Sequence, residues 1–248
     1  MDDEELDLFG DVTPEEQAAA DALYQQRLDA GQAAPAKGRL AQQRRRYLQS
    51  GRGPAAFETL RNARPMNFGE VFAAAERQAI IASVHEYVRA NQWTTQRHGA
   101  FPTRDVPVVA TSVADMVAGR LAAALFPRLQ EHTGIDARYW TFRDLFVVGY
   151  HQDHQRSLDL HSDGCLASLT LLLNDPAEFD GGGTFFAQFG LVVCQTPGDA
   201  WIHDSRLEHA GVEITRGQRL VLVAFIDTVS RDPVVALAHR QPAVAAAH

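Results

Sequence analysis

The sequence predicts a mainly β domain with supporting helices, of sandwich or jelly-roll type. From Arg143 onward, runs of five to eight apolar or alternating residues are separated by Gly, Asp, Asn and Pro. That is the texture of short strands closely punctuated by turns. No long-period repeat occurs, and strands do not alternate with helices, which argues against a doubly wound parallel sheet. Upstream, residues 65–140 carry apolar positions at helical spacing. Hydrophobic residues make up 46% of the 248, enough for one sizeable core.

Residues 1–64 read as a charged arm. Residues 1–18 hold eight acidic side chains and no basic one, whereas 37–52 hold Lys37, Arg39, Arg44, Arg45, Arg46 and Arg52 and no acid. Thr13-Pro14-Glu15-Glu16 is a helix start, with Thr13 as N-cap, Pro14 at the first helical position and Glu16 closing a capping box. Few large apolar residues are present to offset the entropy of ordering, so the expectation is a solvated arm, partly helical or disordered. Asp7-Leu8-Phe9-Gly10 after an acidic run resembles the acidic region of translation elongation factor 1 beta/delta subunits. That resemblance implies weak docking to a partner through the arm.

Phe68–Asn91 has Phe72, Ala75, Ile80, Ile81, Val84 and Val88 near helical spacing and predicts one helix. Ser112-Val113-Ala114-Asp115 predicts a capping box that opens an amphipathic helix through Leu121, Leu125 and Leu129. Gly134 is placed to end it. Val106–Ala110, between the two helices, is strand-like. The predicted core strands are Leu145–Tyr150, Leu166–Leu173, Thr184–Phe186, Leu191–Gln195, Ala200–His203, Gly211–Ile214 and Arg219–Asp227. The domain is expected over 65–231, with helical support in 65–140, a β core in 141–231 and a tail in 232–248.

Within this core the sequence places His161-Ser162-Asp163, then His209 46 positions later, then Arg219 ten positions beyond. Residues i and i+2 of a strand point the same way, so His161 and Asp163 are expected on one face. Two imidazoles and a carboxylate can hold one face of Fe(II) and leave the other open. Arg219 suits the far carboxylate of a keto-acid, because its planar fork matches a carboxylate bidentately. Gly211–Ile214 and Gly217 predict a hairpin leading into the strand of Arg219.

Two other histidines compete. His151-Gln152-Asp153 repeats the His-x-Asp pattern, but in a polar loop, and is expected at a pocket rim or on the surface. His203 is expected behind the ligands or in the core. Gly181–Gly183 lacks the Lys-Ser/Thr of a phosphate loop, and Ser205 lacks the Gly-x-Ser-x-Gly elbow of a hydrolase.

The ordered blocks are specific. Tyr150, His161-Ser-Asp163, Leu-Leu-Leu-Asn174, Phe179-Asp-Gly-Gly-Gly183-Thr-Phe, Pro197-Gly-Asp-Ala, His203, His209-Ala-Gly-Val and Gly217-Gln-Arg219-Leu-Val-Leu resemble the catalytic domain of Fe(II)/2-oxoglutarate dioxygenases. Within that superfamily they are similar to the prolyl 4-hydroxylase and procollagen lysyl hydroxylase branch. The resemblance implies a double-stranded β-helix with iron on His161, Asp163 and His209. It implies 2-oxoglutarate on Arg219 with Tyr150 beside it, O2 as the second co-substrate and ascorbate as an accessory reductant. The family often has an aromatic after this Arg; here Leu220 follows. In related halogenases the carboxylate is replaced by a small residue, so Asp163 implies hydroxylation. The expected reaction is hydroxylation of an unactivated C–H bond of a peptidyl side chain in a protein or peptide substrate, with release of succinate and CO2. Hydroxylation of a free amino acid or another small molecule is the alternative. A catalytically silent jelly-roll binding module is the alternative from another class.

A net charge of −8 argues against wholesale binding to nucleic acid. Cys165 and Cys194 sit in apolar runs and are expected as buried free thiols of a reducing compartment. No apolar leader or membrane-spanning run is present, and a cytoplasmic protein is expected.

Overall fold

A computed structural model describes residues 63–228 of the chain. The capped helix at Thr13, the charged blocks of the arm and the tail beyond 231 lie outside the described residues. In chain order the elements are β1 (Met66–Glu70), α1 (Ala74–Asn91), β2 (Asp105–Pro107), α2 (Ala114–Thr133), β3 (Trp140–His151), β4 (Leu158–His161), β5 (Ala167–Leu172), β6 (Phe179–Gly181), β7 (Thr184–Phe186), β8 (Leu191–Val193), β9 (Asp199–Asp204), β10 (His209–Gly211) and β11 (Ile214–Thr228). The larger sheet runs β1-β9-β5-β11-β3-β2, with β6 paired to the start of β11. The smaller runs β4-β10-β7-β8. All pairings are antiparallel. The two sheets form the jelly roll that the strand pattern predicts.

β11 is the spine, flanked by β3 and β5. Its alternation separates two environments, because successive side chains of a strand point to opposite faces. Leu220, Leu222, Ala224 and Ile226 join the core that includes the helices. Arg219, Val221, Val223 and Phe225 face a cavity between the sheets. Against the first face α2 lays Val117, Leu121, Leu125 and Leu129, all fully buried, a stripe at i, i+4 spacing. Burying each leucine contributes roughly 1.5–3 kcal/mol. Gly134 ends α2 in the left-handed conformation at φ 77°, its N–H donating to the Gln130 carbonyl, as the glycine predicts.

Three local expectations are corrected. The helix predicted from Phe68 begins at Ala74. Met66 and Phe68 instead alternate inward on β1, an edge strand paired with β9; the spacing of Phe68 and Phe72 mimics a helix across a strand and its turn. The capping box at Ser112 does not form: the N-cap is Val113, and the Ser112 hydroxyl pairs with that of Ser83 at 2.9 Å. The hairpin between Gly211 and Arg219 is also absent. β10 pairs with β4 and β7 in the smaller sheet, whereas β11 crosses to the larger one and begins at Ile214. No helix among the described residues is long and apolar enough to cross a membrane.

Candidate active site

β4 and β10 lie antiparallel with His161 opposite His209. Each ring is fixed by a backbone carbonyl two residues upstream: His161 Nδ1 lies 2.7 Å from the Asp159 oxygen and His209 Nδ1 2.9 Å from that of Leu207. A proton on each Nδ1 leaves both Nε2 lone pairs free. Those Nε2 atoms lie 3.5 Å from Asp163 Oδ1 and Oδ2 respectively. The ligand-type atoms of all three residues fall within 4.8 Å of one another.

Asp163 reaches this place from a turn, not from the strand face that its i+2 spacing predicts. β4 stops at His161. The Asp163 N–H donates to the Ser205 carbonyl at 2.8 Å, and the Ser168 hydroxyl donates to its Oδ2. Burial opposes ionisation of Asp163, but the imidazoles of His209 and His161 outweigh it and hold the carboxyl below its ordinary range. Burial, reinforced by His161, pushes His209 down to about 4. An ionised carboxylate beside a neutral imidazole is the protonation state that receives a metal. The donor set fits Fe(II), with three protein ligands on one side.

Arg219 stands at the other end of the same cavity. It is 2% exposed, and the register sets it opposite Tyr150, with the guanidinium 5.5 Å from the phenol ring centroid. Its Nη2 donates to Gln195 Oε1 at 2.8 Å, and Gln195 Nε2 donates to Thr170 Oγ1 at 2.8 Å. No carboxylate pairs with Arg219 among the described residues. A buried cation with five donors and no counter-ion is costly alone and suited to an incoming carboxylate. Glycine is required beside it: a Cβ on Gly211 would meet the Tyr150 hydroxyl at 2.5 Å.

The cavity measures about 250 Å³ and is lined by His161, Asp163, His209, Tyr150 and Arg219 together. His203 and His151 lie elsewhere. His203 is buried behind His209, ring centroids 4.5 Å apart, and both its nitrogens lack hydrogen-bond partners. His151 ends β3, and its Nδ1 accepts from the Asp153 N–H at 3.1 Å. The sequence reading missed Ser168, Thr170, Gln195, His98 and Phe101. Their residue types are unremarkable, and only their placement gives them a part. Cys165 is buried as expected, but Cys194 is exposed, just past β8 at the edge of the smaller sheet.

No family model matches the chain. By sequence, it is 37% identical over 87 residues to the multifunctional procollagen lysine hydroxylase and glycosyltransferase LH3 of Rattus norvegicus. That match covers 33% of this chain and 12% of the relative, so the chain corresponds to a small part of the relative's length. By structure, it is similar to the viral collagen prolyl hydroxylase of Paramecium Bursaria Chlorella virus-1, with a TM-score of 0.52 at 15% identity over 69% of this chain and 99% of that one. It is likewise similar to the non-heme alpha ketoglutarate dependent epimerase SnoN from nogalamycin biosynthesis, with a TM-score of 0.53 at 19% identity over 79% of this chain and 93% of that one.

Proposed function

We propose, for a chain that belongs to the Fe(II)/2-oxoglutarate-dependent dioxygenase superfamily, that it hydroxylates an unactivated C–H bond of a peptidyl side chain, releasing succinate and CO2. One observation carries the reading. A buried guanidinium without a counter-ion and a carboxylate with two imidazoles stand in one cavity.

In this reading His161, Asp163 and His209 hold iron through Nε2, a carboxylate oxygen and Nε2. Bound Fe(II) supplies the redox chemistry that couples decarboxylation of the keto-acid to activation of O2. Arg219 takes the distal carboxylate of 2-oxoglutarate, Gln195 aims the guanidinium, and the Tyr150 ring closes its flank. Ser168 fixes the Asp163 carboxylate so that one oxygen stays turned to the metal. Retention of Asp163 supports hydroxylation over halogenation.

The hydroxylase names of the relatives support a peptide substrate. The likeness to SnoN over 79% of the chain favours a small molecule as the second reading. In the first case, the acidic and basic blocks of residues 1–52 serve as a weak docking arm in a cytoplasmic protein. The test is anaerobic loading with Fe(II), then 2-oxoglutarate, ascorbate and air, with succinate quantified. A gain of one oxygen is sought by mass spectrometry in peptides and in small metabolites. Succinate formation that needs iron is the expected result. Its absence, with 2-oxoglutarate binding intact, leaves the silent binding module.

A further inference from the structure

A second, smaller cavity adjoins the catalytic one. It measures about 160 Å³ and lies between the segment 100–102 on one side and Gln155, Ser157, Leu158 and Asp159 on the other. Ala100, Phe101 and Leu158 line both cavities. β4 supplies Leu158 and Asp159 to the smaller one and ends at the ligand His161. A strand rises about 3.3 Å per residue, so Asp159 stands roughly 6 Å along β4 from His161. An extended peptide covers that distance in about two residues.

The polar side chains here differ in what they have left to offer. The Gln155 amide is committed to the fold: its Oε1 accepts from the Arg104 N–H at 2.6 Å, and its Nε2 donates to the Pro102 carbonyl at 3.1 Å. Ser157 and Asp159 are not committed. Among the described residues neither side chain has a hydrogen bond, and the exposed Asp159 carboxylate has no ion pair. No basic residue lines this cavity. Arg156 turns to Glu213 at 2.7 Å, and the Arg104 guanidinium stacks on the Trp93 ring at 4.1 Å. The charge beside Phe146 and Phe225 of the catalytic cavity has the same sign. There two guanidinium groups face three carboxylates: Arg97 holds Asp105 and Asp144 at 2.7 Å each, and Arg143 pairs with Asp227 at 3.4 Å. Burial keeps His98 below its ordinary pKa of 6.5, so it adds no charge at neutral pH.

We infer that the smaller cavity is a second binding site, which takes a cationic side chain of the substrate one or two places from the residue oxidised. A carboxylate only accepts hydrogen bonds and a hydroxyl accepts as well as donates, so Asp159 and Ser157 suit a group rich in donors. Arginine fits best, because its five N–H donors can serve both at once. The surplus of negative charge around the catalytic cavity steers such a peptide in. The inference rests on the peptide-hydroxylase reading and leaves the oxidised residue itself open.

The experiment uses the full-length, iron-loaded protein with 2-oxoglutarate in the absence of air. Peptides carrying a neutral dye are titrated and read by fluorescence anisotropy, so binding is measured without turnover. Two parent peptides have a central proline or a central lysine among glycines and alanines. In each, arginine or citrulline, its uncharged analogue, is placed in turn at the two positions on either side of the centre. At one position or more, arginine is expected to bind about two- to fivefold more tightly than citrulline, the scale of an exposed ion pair. The gain is expected to fade at high salt. Asp159→Asn should level the two peptides, and Asp159→Arg should favour glutamate over glutamine at the same position. Equal binding of arginine and citrulline at all four positions, in peptides that do bind, overturns the inference alone. An arginine preference that survives in Asp159→Asn overturns the assignment to this cavity. No peptide bound, while 2-oxoglutarate still binds, overturns the peptide reading and the inference with it.

Discussion

His161 and His209 are direct register partners across the β4–β10 ladder, with ring centroids 4.3 Å apart. The ladder thus brings together two imidazoles separated by 48 positions in sequence. Alanine at His161, Asp163 or His209 is expected to remove most Fe(II) binding while the fold survives, because apolar burial holds the strands. Metal analysis with circular dichroism checks both halves. His203→Phe should keep its metal. Metal lost in that variant and retained in His209→Ala would reassign the ligand.

Ser168→Ala removes the hydroxyl that orients the Asp163 carboxylate. Metal affinity is expected to fall by about 10–100-fold, the usual effect of losing an outer partner. Competition against a chelator measures it. An unchanged affinity would show that the Ser205 carbonyl and the turn suffice to place Asp163.

Arg219→Lys keeps the charge and loses the fork. A large rise in KM for 2-oxoglutarate is expected, with metal binding unaltered. Gln195→Ala should give a smaller rise of the same kind, since Gln195 aims Arg219 through one 2.8 Å bond. If Gln195→Ala instead lowers kcat alone, Gln195 acts on something other than co-substrate binding.

Gly211→Ala puts a methyl 2.5 Å from the Tyr150 hydroxyl oxygen. Something must shift, and both strands carry site residues. Weaker 2-oxoglutarate binding and a lower Tm are expected. Tyr150→Leu in the same chain removes the clashing hydroxyl and should restore much of the Tm. A Tm of Gly211→Ala equal to that of the parent would show that Tyr150 can move freely.

The metal-free protein should lose stability on mild acidification. His209 titrates at about 4 in the fold against an ordinary 6.5. Between those values the unfolded chain binds a proton that the folded chain refuses. Unfolding free energy therefore falls as pH drops through that window. Asp163, held below its ordinary 3.8, adds its loss only at still lower pH. Urea unfolding between about pH 7 and 5 measures the slope, which should be shallower in His209→Asn.

What is local or strictly ordered could be read along the chain. Alternation along Arg219–Asp227 marks β11, the Leu121-Leu125-Leu129 stripe marks α2, and Gly134 marks its end. These are properties of neighbours in the chain, which backbone periodicity makes visible. The order His161, Asp163, His209, Arg219 likewise marks the residues that meet in the cavity. Tertiary structure decided which strand lies beside which. Pattern alone put β10 in a hairpin with β11, but the two belong to different sheets. Pattern also read Phe68 as helical, because nothing nearby in the chain shows β9 waiting to pair with β1. Ser168 and Gln195 were invisible because residue type alone does not show what a side chain will touch. A hydroxyl or an amide acts over a few ångströms in space, and whether Ser168 meets Asp163, five positions before it, or Gln195 meets Arg219 on another strand is set by how the chain folds.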